Sequence, residues 1–263
     1  MGLSVYPEGP LPDFWLELAK GDVPNHSRVL KFGRDVAVGS TYAPVSIGKV
    51  YRTPQVSGAT ALRVKAGDAN DTAAGSGARE ITIQGLDETG ALVNATLATA
   101  GTSASAATSE TFIRLFRAFV SASGTYATQT TGSHAADIVI ENSAGTEDWL
   151  TIDSTDIPKG QSEVAVFTIP LGFTGYINAT HISVTATKSV TVSFFKRENI
   201  LETAAPYSAM RLQEQWGGVD GQAGYTLSVP SGPYPALTDI GFMAKAPVSS
   251  EADVNFEIIL IAD

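Results

Sequence analysis

The chain has 263 residues, 17 Lys plus Arg against 27 Asp plus Glu, a formal net charge of −10 and no cysteine. Disulfides and thiolate metal sites are thereby excluded. The acidic balance, with no basic run, argues against binding nucleic acid or an anionic membrane surface. Charged residues make up only 17%, below the usual quarter of a soluble protein. Gly, Ala, Ser and Thr fill the difference, a mix suited to short strands and polar loops.

Residues 1–44 are punctuated by Pro7, Pro10, Pro12, Pro24 and Pro44 and show no strand periodicity. They read as an extended N-terminal arm with one short helix. Pro12 suits a first-turn position, Asp13 complements the dipole at a helix start, and Gly21 suits the stop. A helix that short is not stable alone and must pack on something. Phe14, Trp15 and Leu18 give it an apolar side, and Leu30 and Phe32 follow in the next stretch. Two readings stand: a strap over the chain's own β region, or an arm that docks on a neighbouring subunit. Either way Phe14, Trp15, Leu18, Leu30 and Phe32 are the candidate contacts. Residues 1–12 carry neither the basic nor the apolar region of a secretory signal. No apolar run approaches the ~20 residues of a spanning helix. A soluble chain made in a cytoplasm is the expectation.

Residues 45–157 read as a first β domain, with strands near 47–53, 60–66, 79–86, 91–98, 111–121 and 136–141. Ile81 and Ile83 alternate with Thr82 and Gln84, the period of a half-buried strand. Asp87-Glu88-Thr89-Gly90 is a turn whose glycine can take the positive φ that closes such loops. The loop from Ala66 to Ala78 carries Asp68, Asn70 and Asp71. Their spacing does not match a calcium loop closed by a bidentate Glu, so turn chemistry is the simpler reading. Pro158-Lys159-Gly160 marks a boundary to a second β domain over 158–263. There the strands fall near 164–169, 174–186, 190–196, 225–229, 239–245 and 254–262. Short strands between Gly/Pro turns mean a sandwich, jelly roll or barrel. The connection Leu201–Gly221 has room for one short helix or a protruding hairpin. The fold class is therefore all-β: two β-sandwich or jelly-roll-like domains behind the arm.

Reactive constellations are missing from the sequence. His26, His134 and His181 fall in separate segments without zinc-ligand spacing. No G-x-S-x-G elbow occurs, and Gly75-Ser76-Gly77-Ala78 lacks the Lys and the following helix of a phosphate loop. Glu147, Asp148, Asp153 and Asp156 lie near Trp149, which leaves a two-carboxylate glycosidase as the one enzymatic reading to set aside. No catalytic, cofactor or metal residue is assigned.

Several stretches, taken together, resemble a family of virion structural proteins of tailed bacteriophages, of a type common among marine phages. They are D-F-W-L-E-L-A-K-G (Asp13–Gly21), V-P-N-H-S (Val23–Ser27), K-F-G-R (Lys31–Arg34) and D-T-A-A-G-S-G-A-R-E-I-T-I-Q-G-L-D (Asp71–Asp87). F-T-I-P-L-G-F-T-G-Y-I (Phe167–Ile177) and P-A-L-T-D-I-G-F-M-A-K-A (Pro235–Ala246) complete the set. Each motif alone is unspecific; their order along nearly the whole chain carries the resemblance. It implies a particle component without enzymatic activity, built from β domains and placed by its N-terminal arm. The leading expectation is a capsid decoration, or cement, protein in the virion, assembled in the host bacterial cytoplasm. Its partners would be copies of itself, a homotrimer by analogy with threefold seats on icosahedral shells, and the major capsid protein or other virion proteins. The alternative is a head spike, neck or tail fibre protein that binds host surface glycans. Trp216, Tyr225, Tyr234 and Phe242 would then supply stacking faces, unless they fill the core or a subunit contact.

Overall fold

The structure, a computed structural model, describes residues 13–53, 58–128, 132–155, 160–185 and 188–263, with the backbone alone for 225–229. Pro7, Pro10, Pro12, Asp156, the Pro158-Lys159 turn and the side chain of Tyr225 lie outside the described residues. One helix, α1 (Phe14–Lys20), precedes β1 (His26–Val38), β2 (Ala43–Pro44), β3 (Leu62–Ala66), β4 (Ala78–Leu86) and β5 (Leu92–Ala98). Next come β6 (Arg114–Ser123), β7 (Ile138–Asn142), β8 (Asp148–Ile152), β9 (Val166–Thr168) and β10 (Phe173–Val184). The order ends with β11 (Val190–Arg197), β12 (Arg211–Val219), β13 (Gln222–Tyr234), β14 (Asp239–Lys245) and β15 (Ser250–Ala262). The protein is all-β with one short N-terminal helix, as its composition and periodicity imply.

Four antiparallel sheets form two sandwich-like pairs. The larger pair faces β1-β15-β10-β13 against β12-β11-β14-β2, with β9 also on β14; the smaller faces β3-β7-β8 against β5-β4-β6. In the larger pair alternation decides what is buried. Val254, Phe256 and Ile258 of β15 point inward against Val192 and Phe194 of β11 and Ile240 and Phe242 of β14. The Phe242 ring lies 5.1 Å from both Phe194 and Phe256. Burying each such side chain contributes about 1.5–3 kcal/mol. In the smaller pair Ile81 and Ile83 meet Leu62, Val64, Ile138 and Ile140, while Thr82 and Gln84 take the other face.

A buried ionic node ties the two pairs together. The Asp239 carboxylate, on β14, accepts from Arg114 Nη2 of β6 at 3.0 Å, Tyr51 Oη at 2.6 Å and Thr168 Oγ1 of β9 at 2.5 Å. With this many donors the buried charge is compensated, which is the condition under which such a pair survives desolvation. Burial, then the negative charge beside it, pushes the Tyr51 phenol up.

The turns and caps follow their residues. Asp13 caps α1 by accepting from Trp15 N at 2.9 Å, and Gly21 ends it at φ 80. Gly90 closes the β4–β5 turn at φ 87 while Asp87 Oδ1 accepts from Thr89 N at 2.8 Å.

Four segments depart from the sequence reading. His26–Val38, read as free of strand periodicity, is a 13-residue strand paired along β15. Its central buried positions are Lys31, Gly33 and Asp35, none apolar, with the apolar Val38 following only past a register shift, so hydrophobic alternation is invisible there. Among the described residues the segment is thus a strap on the chain's own sheet. Gly33 is small because the crossing chain is close: a Cβ there would stand 2.1 Å from Ala165 N and 2.4 Å from Val45 O. Residues 47–53, expected as a strand, form a 3-10 turn at Ile47–Lys49 and then irregular backbone. Asp148–Ile152, outside the expected strands, is β8 in the core of the smaller pair. Within Leu201–Gly221 neither a helix nor a protruding hairpin forms; Arg211–Val219 pairs along β11 as an exposed edge strand. Ladder pairing with β11 outweighs the segment's lack of apolar alternation.

Candidate functional site

The residues that the sequence brings forward as chemical are occupied structurally. Asp71 Oδ1 accepts from Ala78 N at 2.8 Å and Ala135 N at 2.9 Å, and its Oδ2 from Ala136 N at 3.1 Å. It staples two loops, and Asp68 accepts from Asn70 N at 2.7 Å in a local turn. Trp149 is only 3% exposed and lies under the Arg52 guanidinium at 3.7 Å. Arg52 also pairs with Glu147 at 3.3 Å. A ring so covered cannot stack on a sugar, so the carboxylates around it lack the open aromatic of a glycosidase cleft. Among the described residues no group of three or more His, Asp or Glu side chains is placed to hold a metal ion.

The candidate recognition aromatics also part company. Tyr234 is 3% exposed, and its hydroxyl shares a hydrogen bond with Ser231 Oγ at 2.7 Å. Trp216 is half-buried, its ring stacked 5.9 Å from Phe242, itself fully buried. Both belong to the packing of the larger core. The correction has a simple cause: Tyr234 ends β13 on its inward side, a position that looks like a loop in sequence.

The candidate arm contacts separate as well. Leu18 is buried under α1, whereas Phe14, Trp15 and Leu16 are exposed. The Phe14 ring meets His26 edge-on at 6.1 Å, which sets α1 beside the start of β1. Strand alternation puts His26, Arg28, Leu30 and Phe32 on one face of β1. Trp15 (46% exposed) and Leu30 (65% exposed) are both open to solvent, on the adjacent elements α1 and β1. Phe32 is half-buried.

A cleft of about 1260 Å³ opens where the sheet carrying β1 meets β4, β5 and β6. Sequence reasoning missed it, because its walls come from strands far apart in the chain. Lys31 lies on the face of β1 opposite Leu30, opposite Phe256 in the ladder, and is 8% exposed. Its Nζ donates to the Phe116 carbonyl. Among the described residues no carboxylate lies within ion-pair distance of it. Burial, helped by the neighbouring Arg117, lowers the Lys31 ammonium to about 7. On the opposite wall Gln84 pairs with Asn94 on one side and Arg117 on the other. The three side chains form one row across the sheet, on the face opposite Ile83. Arg117 Nη2 donates to Gln161 Oε1, and its guanidinium lies 5.0 Å over the Phe119 ring. Glu257, the one carboxylate lining the cleft among the described residues, is held by Arg28.

No protein-family model and no curated protein matches the sequence. Among solved structures the chain is similar to that of infectious bursal disease virus Gx strain, at 6% identity and a TM-score of 0.23, over 95% of this chain and 78% of that one. The VP2 subviral particle of infectious bursal disease virus follows at 7% identity and 0.21, over 90% and 72%. Likeness at this level carries no functional argument. The structure is that of an all-β protein in which Asp71, Asp239 and Arg114 are bound up in the fold and a polar cleft stands open beside Lys31.

Proposed function

We propose that this chain is a non-enzymatic structural component of a tailed-phage particle, seated on the head surface as a homo-oligomer. The observation that carries the reading is the exposed surface around α1, where Phe14, Trp15, Leu16 and Leu30 stand in solvent on adjacent elements. Large apolar side chains so exposed mark a surface that another protein covers. The ordered resemblance to virion structural proteins supports the same assignment. So does the structural use of Asp71, Asp239 and Arg114, which leaves the most deeply buried charges no reactive role. A trimer suits the threefold positions of an icosahedral shell.

The test has two parts. Particles are separated into capsid and tail fractions, and the chain is quantified by mass spectrometry in each. In parallel the full chain and its Trp15→Ser/Leu30→Ser variant are measured by light scattering. Recovery on capsids, with an oligomer that dissociates in the variant, is expected. A chain found with tails alone, or a monomer at every concentration, overturns the proposal.

A further inference from the structure

The geometry points to the cleft between β1 and the β5-β4-β6 sheet as a binding site for an acidic saccharide. Its anionic group would meet Lys31 and Arg117, and its hydroxyls would meet Gln84 and Asn94. This goes beyond the structural role and is independent of where the chain sits on a particle.

Three observations carry it. First, Lys31 is a buried ammonium whose one described partner is a neutral carbonyl, that of Phe116. An ammonium has three donors and no acceptor, and leaving a buried charge without a counter-ion is costly. A ligand's anion completes what the fold leaves open. Second, the cleft runs against the charge of the whole. The protein carries a net −10, yet Lys31 and Arg117 line this cleft and its Glu257 is already held by Arg28. Third, the wall is a row of amides. Asn94 and Gln84 stand side by side in register, with Arg117 completing the row. Each amide offers both a donor and an acceptor, the pairing that vicinal hydroxyls require. Phe116, Phe167 and Phe256 supply apolar floor between the polar groups.

The charged and titratable groups around Lys31 are Arg117 on β6, His181 on β10, Glu257 on β15 and Arg28 beside it on β1. Because Lys31 loses its proton near 7, binding weakens as the pH rises past that value.

The test uses the full chain with sodium glucuronate and a glucuronate tetrasaccharide as probes. Glucose, acetate, inorganic phosphate and a tetraglutamate peptide are the controls. Saturation-transfer NMR and calorimetry are run at pH 6 and pH 9. Expected is saturable binding of the acidic sugars at pH 6, weaker by roughly tenfold or more at pH 9. Lys31→Met should abolish it while the variant melts no lower than the parent, and Asn94→Ala should weaken it. Undiminished binding by Lys31→Met overturns the site. No acidic-sugar binding, or acetate and phosphate binding as tightly as glucuronate, overturns the saccharide. Tetraglutamate binding more tightly than the tetrasaccharide does so too, in favour of an acidic peptide.

Discussion

Lys31 makes a prediction about stability that needs no ligand. Its ammonium is lowered from 10.5 to about 7 in the fold, so the unfolded chain holds the proton more tightly than the folded one. Stability therefore rises with pH across that window. Linkage puts the cost of the charged side chain at about 4 kcal/mol at pH 7, about 2 kcal/mol at pH 9 and under about 1 kcal/mol at pH 10. Lys31→Met removes that cost and keeps an unbranched apolar stem of similar reach. It also leaves the Phe116 carbonyl without its donor, a loss of about 1 kcal/mol. The variant should thus be more stable by about 3 kcal/mol at pH 7, with the advantage vanishing near pH 10. Urea melts followed by Trp fluorescence at each pH unit from 6 to 10 measure the difference. A difference that stays constant between pH 7 and pH 10, or a variant less stable at pH 7, refutes the reasoning.

Three further outcomes follow from the packing. Asp239→Asn leaves Arg114 buried beside a neutral group and weakens the bonds from Tyr51 and Thr168. It should cost about 3–5 kcal/mol and lower Tm by at least about 6 °C in calorimetry. Gly33→Ala sets a methyl 2.1 Å from Ala165 N, so the soluble fraction on expression should collapse, whereas Gly39→Ala, with open space around it, should express as the parent does. Asp71→Ala strips the acceptor from the amides of Ala78, Ala135 and Ala136 and should destabilise by about 2 kcal/mol or more. Hydrogen exchange should then speed up at those three amides first.

Legibility in the sequence followed where side-chain chemistry was local. Ile81/Ile83 against Thr82/Gln84 declares β4 within a few residues, and Asp13 and Gly21 bracket α1 by their own capping chemistry. β1 and β12 escaped because neither shows apolar alternation. β1 buries Lys31, Gly33 and Asp35, and β12 leaves nearly all its side chains in solvent. β1 is held by the ladder to the remote strand β15, which no window of sequence contains, whereas β12 pairs with the strand just before it, β11, and its exposed side chains leave no apolar signal. The cleft was hidden for the same reason as β1. Lys31 looks like an ordinary surface lysine until Phe116 and Arg117, from another sheet, close over it. Tyr234 shows the converse: an aromatic next to glycine and proline reads as a loop tip, yet its strand turns it inward.

The pairing of β1 with β15 has a consequence for biosynthesis. Arg28 and Glu257, joined across this ladder, are 229 residues apart. During translation β1 therefore leaves the ribosome long before the strand it pairs with. Such remote closure slows folding and leaves a long unpaired edge waiting in the nascent chain.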